Sequence, residues 1–271
     1  MIEHKPYDGE PAEACGSPHD RDGPAEMGAS FYERAYSGEA GQAERGGAWR
    51  ALGARGKVDH VIELCRRARL SPESTLDVGC GDGAVLSELH RRGFGGRLSG
   101  VEISEAAVRV ARERREIDAV ETYDGAHLPA GDGSYELGIL SHVLEHVGTP
   151  AALLAEVGRV CGAVVIEVPL ESNLSALRRS RRGRSEEVGH LQRLSRASAR
   201  AIVAEAGMRV ACELEDPLPL TVHVHFTHTP TARLGATARW ALRSALHRTL
   251  PALARRAFTV HYAALCLPQD G

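Results

Sequence analysis

The 271-residue chain carries 33 Lys plus Arg against 36 Asp plus Glu, a formal net charge of −3, and 43% of its residues are hydrophobic. That is enough apolar material for a buried core, and the near balance of charge excludes a global field aimed at nucleic acid or an anionic membrane. The six cysteines (Cys15, Cys65, Cys80, Cys161, Cys212 and Cys266) include no C-x-x-C pair, which fits neither a zinc ribbon nor a disulfide framework and points to reduced thiols.

Residues 1–27 mix charge with Pro and Gly and lack the basic-then-apolar order of an export signal, so they read as a disordered tail ahead of a single domain spanning 28–271. No apolar run approaches the roughly 20 residues needed to cross a bilayer, and a cytoplasmic location is expected. From about Ser30 the chain alternates short β-branched runs with stretches of helical period. In chain order these are a helix at 57–70, a strand at 74–79, a helix at 83–92, a strand at 97–102, a helix at 105–115 and strands at 119–123 and 135–141. A helix at 150–160, a strand at 163–168, a helix at 195–207, a strand at 208–215, a helix at 231–257 and a strand at 258–266 follow. Strands interleaved with helices predict an open α/β layer structure. Two segments interrupt the rhythm and are expected to act as lids over the strand ends: the Arg-rich stretch at 169–193 and the stretch at 216–257.

The first strand runs into LDVGCGDG, residues 76–83. Gly79, Gly81 and Gly83 allow a tight turn and a close approach of a ligand to the backbone, and the following helix offers its free N–H groups. Gly79, Gly81 and Ala84 also satisfy G-x-G-x-x-G/A, so the glycines alone leave a dinucleotide and other adenosine cofactors open, as well as a plain strand-to-helix turn. Asp77 separates the cofactors: a carboxylate at the mouth of the turn repels a pyrophosphate and attracts an ammonium, which S-adenosylmethionine carries. Glu102 ends the second strand 19 residues after Gly83, where an acidic side chain can take two ribose hydroxyls, and Asp124 follows the third strand.

These residues resemble the class I S-adenosylmethionine-dependent methyltransferases that act on small molecules: LDVGCGDG is similar to that family's first motif, GVEIS to its second, and DGAHLPAGDGSYELGILSHVLEHV to its third and fourth. The resemblance covers roughly 31–207. It implies a Rossmann-like sheet of seven strands, mostly parallel with an antiparallel last strand, and helices on both faces. It also implies that Asp77, Gly79 and Gly81 line the methionine end of the cofactor, that Glu102 holds the ribose and that Ile103 packs on the adenine. Asp124 and Gly125 would read the adenine edge, and Ser141 would offer its backbone near the methionine. Two departures stand out: Glu136 replaces the usual Asp before the fourth strand, and RVCGAVVIEV replaces the usual Pro-Gly-Gly turn before the fifth, which predicts a tighter connection there.

Where the acceptor must lose a proton, a histidine near the methyl group is the expected base. His142 and His146 follow the fourth strand in SHVLEHV, with His146 the first choice and Glu145 its orienter; His190, after the Arg-rich stretch, is the second. His223, His225 and His228 form H-x-H-x-x-H without a companion carboxylate or cysteine, so a pocket lining or a solvated edge is expected and no metal. Tyr32 and Tyr36 belong to a helix that either covers the cofactor or packs on the first helix. Arg178, Arg179, Arg181, Arg182 and Arg184 offer an anion-binding run for an anionic acceptor, or a solvated loop. The leading expectation is methyl transfer to an O, N or C centre of a small molecule, a sugar or secondary metabolite among them, with no nucleic-acid partner and no membrane. The alternatives are an NAD(P)-dependent oxidoreductase, a nucleic-acid methyltransferase and a non-catalytic scaffold. The leucines of 231–257 leave a dimer open.

Overall fold

The computed structural model describes residues 33, 36, 40–175, 190–225 and 227–269. Its elements in chain order are α1 (Ala40–Ala68), β1 (Ser74–Val78), α2 (Ala84–Arg91), β2 (Arg97–Glu102), α3 (Glu105–Arg112), β3 (Ala119–Thr122), β4 (Tyr135–Ser141), a 3-10 turn (Leu144–His146), α4 (Pro150–Val160) and β5 (Cys161–Pro169). Beyond the arginine-rich stretch come α5 (Arg196–Glu205), β6 (Met208–Asp216), α6 (Leu220–Val224), α7 (Pro230–Thr249), α8 (Pro251–Ala257) and β7 (His261–Pro268). The seven strands form one sheet in the order β3-β2-β1-β4-β5-β7-β6. All neighbours are parallel except β7, which runs antiparallel to both β5 and β6.

Because side chains alternate across a strand, each face of the sheet builds its own core. Leu137, Ile139, Ala163, Val165, Ala263 and Leu265 point to one side, where Val58, Val61 and Leu64 of α1, Leu86 and Leu89 of α2 and Val108 of α3 cover them. Leu76, Val78, Leu140, Ile166 and Val168 point to the other, under α4 (Leu153, Leu154, Val157) and α5 (Ile202, Val203). Leu140 is fully buried one residue before a strand end that the site uses. Leu140→Ala is expected to cost about 2–5 kcal/mol, read as a lowered denaturant midpoint at unchanged slope.

Local chemistry sets the helix starts. Ser104 accepts from the Ala107 N–H and starts α3, and Ser195 and Ser198 form a reciprocal capping box on α5. Pro150, Pro230 and Pro251 open α4, α7 and α8, where a missing N–H costs nothing. Pro251 also breaks the helix expected over 231–257 into two. Leu234 and Leu250 of that segment are exposed, whereas Trp240 donates its indole N–H to the Leu218 carbonyl at 3.0 Å and Leu246 packs on the core. The connection before the fifth strand is as short as RVCGAVV predicts: α4 ends at Val160 and β5 begins at Cys161. Among the described residues, no helix is long and apolar enough to cross a membrane, and Cys65, Cys80, Cys161, Cys212 and Cys266 are free thiols.

Candidate functional site

The carboxyl ends of β1, β2, β3 and β4 meet along one edge, and the glycine turn sits among them. Gly79 and Gly81 take φ values of 75° and 56°, in the left-handed region that only glycine enters without strain. Gly79 has a second reason to be glycine: a Cβ there would lie 2.7 Å from Cγ2 of Val143, so the loop after β4 packs directly on the turn. The turn is tied to β2 through the N–H groups of Gly79 and Cys80, which donate to the Val101 carbonyl at 2.8 and 3.1 Å.

Glu102 reaches across the same edge. Its carboxylate accepts from the Gly81 N–H at 2.9 Å, the Ile103 N–H at 2.8 Å and the Ser104 N–H at 3.1 Å. Burial pushes its pKa up, and those three N–H donors oppose the rise. Asp77 is 2% exposed, and burial lifts its carboxyl to about 7, with Lys57 opposing and Glu102 adding to the effect. A buried carboxyl held at such a cost beside the glycine turn fits a cationic ligand group better than a diphosphate.

Ile103 and Gly125 lie side by side beyond Glu102: a Cβ on Gly125 would stand 3.6 Å from Cγ2 of Ile103. Asp124 accepts from the N–H groups of Ala126 and His127 at 2.8 and 2.6 Å and from the His127 ring at 2.8 Å, which hold its carboxyl well below the usual range. At the end of β4, the Ser141 hydroxyl is buried without a hydrogen-bond partner among the described residues. The next residue, His142, has φ 61°, a strained value for a non-glycine, and its N–H donates to the Glu167 carbonyl at 2.9 Å.

The structure brings the two expected bases together. The rings of His146 and His190 meet edge to face with centroids 4.8 Å apart, and His190 Nδ1 lies 2.9 Å from Oε2 of Glu171. Leu191 and Gln192 donate to the Glu145 carbonyl at 2.9 and 3.1 Å, which docks the chain beyond the arginine-rich stretch on the 3-10 turn. Glu145, expected to orient His146, has its carboxylate 3.0 Å from Nδ1 of His142 and within 4.8 Å of a His146 ring nitrogen. His223, His225 and His228 do not combine: the first two fall on and just after helix α6 rather than on a strand, His223 bonds the Pro217 carbonyl at 3.2 Å, and His225 stacks on Trp49 at 5.3 Å. Tyr32 and the arginines Arg178, Arg179, Arg181, Arg182 and Arg184 lie outside the described residues.

Sequence reasoning placed Tyr36 either over the cofactor or against the first helix, and missed the partners that hold it over the glycine turn. Tyr36 packs over Gly81, Arg50 stacks on the Tyr36 ring at 4.7 Å, and Arg50 also pairs with Asp82 at 2.8 Å. Glu33 accepts from the Ser104 hydroxyl at 2.9 Å and the Ala106 N–H at 3.1 Å at the start of α3. It also missed a polar cluster at the ends of β4, β5 and β7 that joins His60, His142, Glu167, Asp216 and His261. The available signals were a carboxylate ending the apolar run AVVIEV and a histidine opening the last strand.

A family model described as a methyltransferase domain matches residues 51–213, more than half of the chain. The chain belongs to the class I S-adenosylmethionine-dependent methyltransferases. It is 44% identical over 92 residues to an uncharacterized 37.1 kDa protein in transposon TN4556 of Streptomyces fradiae, covering 32% of this chain and 27% of that one. It is 35% identical over 103 residues to a ubiquinone biosynthesis O-methyltransferase of Thiobacillus denitrificans, covering 35% of this chain and 42% of that one. These matches thus span less than half the length of either curated relative. Among solved structures, the methyltransferase shares its fold with a Thermotoga maritima S-adenosylmethionine-dependent methyltransferase at a TM-score of 0.60 and 15% identity, covering 89% of this chain and 100% of that one. Its cofactor is S-adenosylmethionine, and the strand ends offer that group two buried acids, Asp77 and Glu102, and two glycines whose missing Cβ atoms leave the backbone approachable.

Proposed function

We propose that the protein moves a methyl group from S-adenosylmethionine to an oxygen centre of a small molecule, with N and C centres as the wider class. The observation that carries the reading is the row of acids at the ends of β1, β2 and β3 beside the glycine turn. Asp77, Gly79 and Gly81 hold the methionine end, Glu102 the ribose, Ile103 the adenine ring and Asp124 with Gly125 its edge, while the Ser141 backbone faces the methionine. The cofactor supplies the methyl on a sulfonium, where in-line displacement needs mainly alignment.

An oxygen acceptor is favoured by the paired histidines and by the likeness to the Thiobacillus O-methyltransferase. His146 takes the acceptor proton, and His190, held by Glu171, stands against it. A cleft of about 390 Å³ lined by Glu171, Asn173, Leu174, Arg193 and Arg256 shares Glu171 with this pair, and its two arginines suit an anionic acceptor such as a hydroxylated aromatic acid, a sugar acid or an acidic secondary metabolite. Residues 216–257 would close over it as a lid.

The test is turnover with a panel of hydroxylated acids, read as a mass gain of one methyl group and as S-adenosylhomocysteine release. His146→Ala is expected to lower kcat by about 10²–10⁴-fold with cofactor affinity kept, and His190→Ala by less. Unchanged turnover in both variants would leave alignment as the whole mechanism and remove the base from the account.

A further inference from the structure

We propose that His142, Glu167 and His261 form a binding site for a divalent transition metal, with zinc the closest match. The site is independent of the methyl-transfer reading and involves residues other than the H-x-H-x-x-H run. The three side chains come from neighbouring strands: His142 follows β4, Glu167 lies on β5 opposite Ser141 and Ala263, and His261 opens β7. Register places Glu167 and His261 on the face that α1 covers, and the left-handed backbone of His142 brings its ring to the same patch.

The donor atoms form a nearly equilateral triangle. His142 Nε2 is 3.2 Å from His261 Nδ1, His261 Nδ1 is 3.3 Å from Glu167 Oε1, and His142 Nε2 is 3.6 Å from Glu167 Oε1. A tetrahedral ion about 2.0–2.1 Å from each ligand requires edges of about 3.3–3.4 Å, so the triangle has the size of one tetrahedral face. Octahedral magnesium would need shorter edges, of about 3 Å, and prefers oxygen donors to imidazoles. Two imidazoles and one carboxylate are a donor set that suits zinc or ferrous iron.

The outer contacts are also those of a metal site. Oε2 of Glu167, the oxygen turned away from the triangle, lies 3.1 Å from His60 Nδ1, and His60 Nε2 lies 3.2 Å from Oδ2 of Asp216. Nδ1 of His142, the ring nitrogen turned away from the triangle, lies 3.0 Å from the Glu145 carboxylate, whose oxygens are buried with no aligned hydrogen-bond donor among the described residues. Each ligand but His261 is thus oriented from behind by a second group. Lys57 acts on both histidines and, with His60 beside Glu167, opposes a cation, but three carboxylates, Glu145, Glu167 and Asp216, outweigh those two charges. The Glu167 side chain is 3% exposed and that of His142 23%, so access is from the histidine side, where a water or an oxygen ligand completes the shell.

The experiment titrates the chelator-treated full chain with Zn²⁺ by calorimetry and with Co²⁺ by visible absorption. One equivalent per chain and the intense visible bands of four-coordinate cobalt are expected. His142→Ala and His261→Ala are each expected to weaken Zn²⁺ binding by more than about 100-fold, and Asp216→Asn, two contacts out, by about 10-fold. His146→Ala and His190→Ala should keep both stoichiometry and affinity. They also exclude the neighbouring group Glu145, His146 and His190, whose donors lie within 4.8 Å of one another. Should an alanine variant lose its circular-dichroism signature, His261→Gln removes the same ligand with most of its volume kept. A wild-type chain that takes up no stoichiometric Zn²⁺ contains only a hydrogen-bonded cluster and overturns the proposal. So does binding lost in His146→Ala and retained in His261→Ala or His261→Gln.

Discussion

Glu102→Ala is expected to weaken S-adenosylhomocysteine binding by about 100-fold or more in a calorimetric titration, because two ribose hydroxyls lose a charged acceptor at about 1.5–3 kcal/mol each. The same change strips the Gly81, Ile103 and Ser104 N–H groups of their shared acceptor, so a fall of about 1–3 kcal/mol in stability is expected alongside. Glu102→Gln separates the two effects: it keeps an oxygen for part of the network and should recover more stability than affinity. A folded Glu102→Ala chain that binds the ligand like wild type would falsify the ribose assignment.

The second large effect is a pH dependence. In the free protein the Asp77 carboxyl sits near 7, above its ordinary 3.8, because burial disfavours the charge. A cofactor ammonium needs the ionised form, so affinity is expected to fall close to tenfold for each pH unit below 7. Stability of the free chain moves the other way. The folded state holds this proton more tightly than the unfolded chain does, so the contribution is full below about 3.8 and is lost as pH rises through about 7. Asp77→Asn should lose the affinity measured at pH 7 and flatten its dependence between pH 5 and 7. A wild-type affinity that does not change over that interval contradicts the pairing of Asp77 with the ammonium.

The fold was legible in the sequence where a strand's period coincides with burial. β1, β2 and β4 are short runs built around buried apolar residues and bounded by turn residues, and each is found within a residue of its expected span. The glycine turn was legible because φ above zero restricts the residue type at Gly79 and Gly81. Pairings across the sheet were not. Nothing in the spacing of His60, Glu167, Asp216 and His261 places them together, because their contact depends on β7 inserting between β5 and β6 and on α1 crossing the same face. Glu145 was given to His146 on chain proximity, and the contact that its carboxylate also makes with the His142 ring was not legible, because it depends on the left-handed backbone at that residue. On a strand His223 and His225 would share a face, and the one helical turn of α6 carries the same short alternation with Val222 and Val224.

Calorimetric titration of the full chain with S-adenosylhomocysteine, and separately with NAD, tests the central claim most directly. One saturable site per chain for S-adenosylhomocysteine and no heat with NAD is the predicted result. Saturable binding of NAD with no response to S-adenosylhomocysteine would contradict the account.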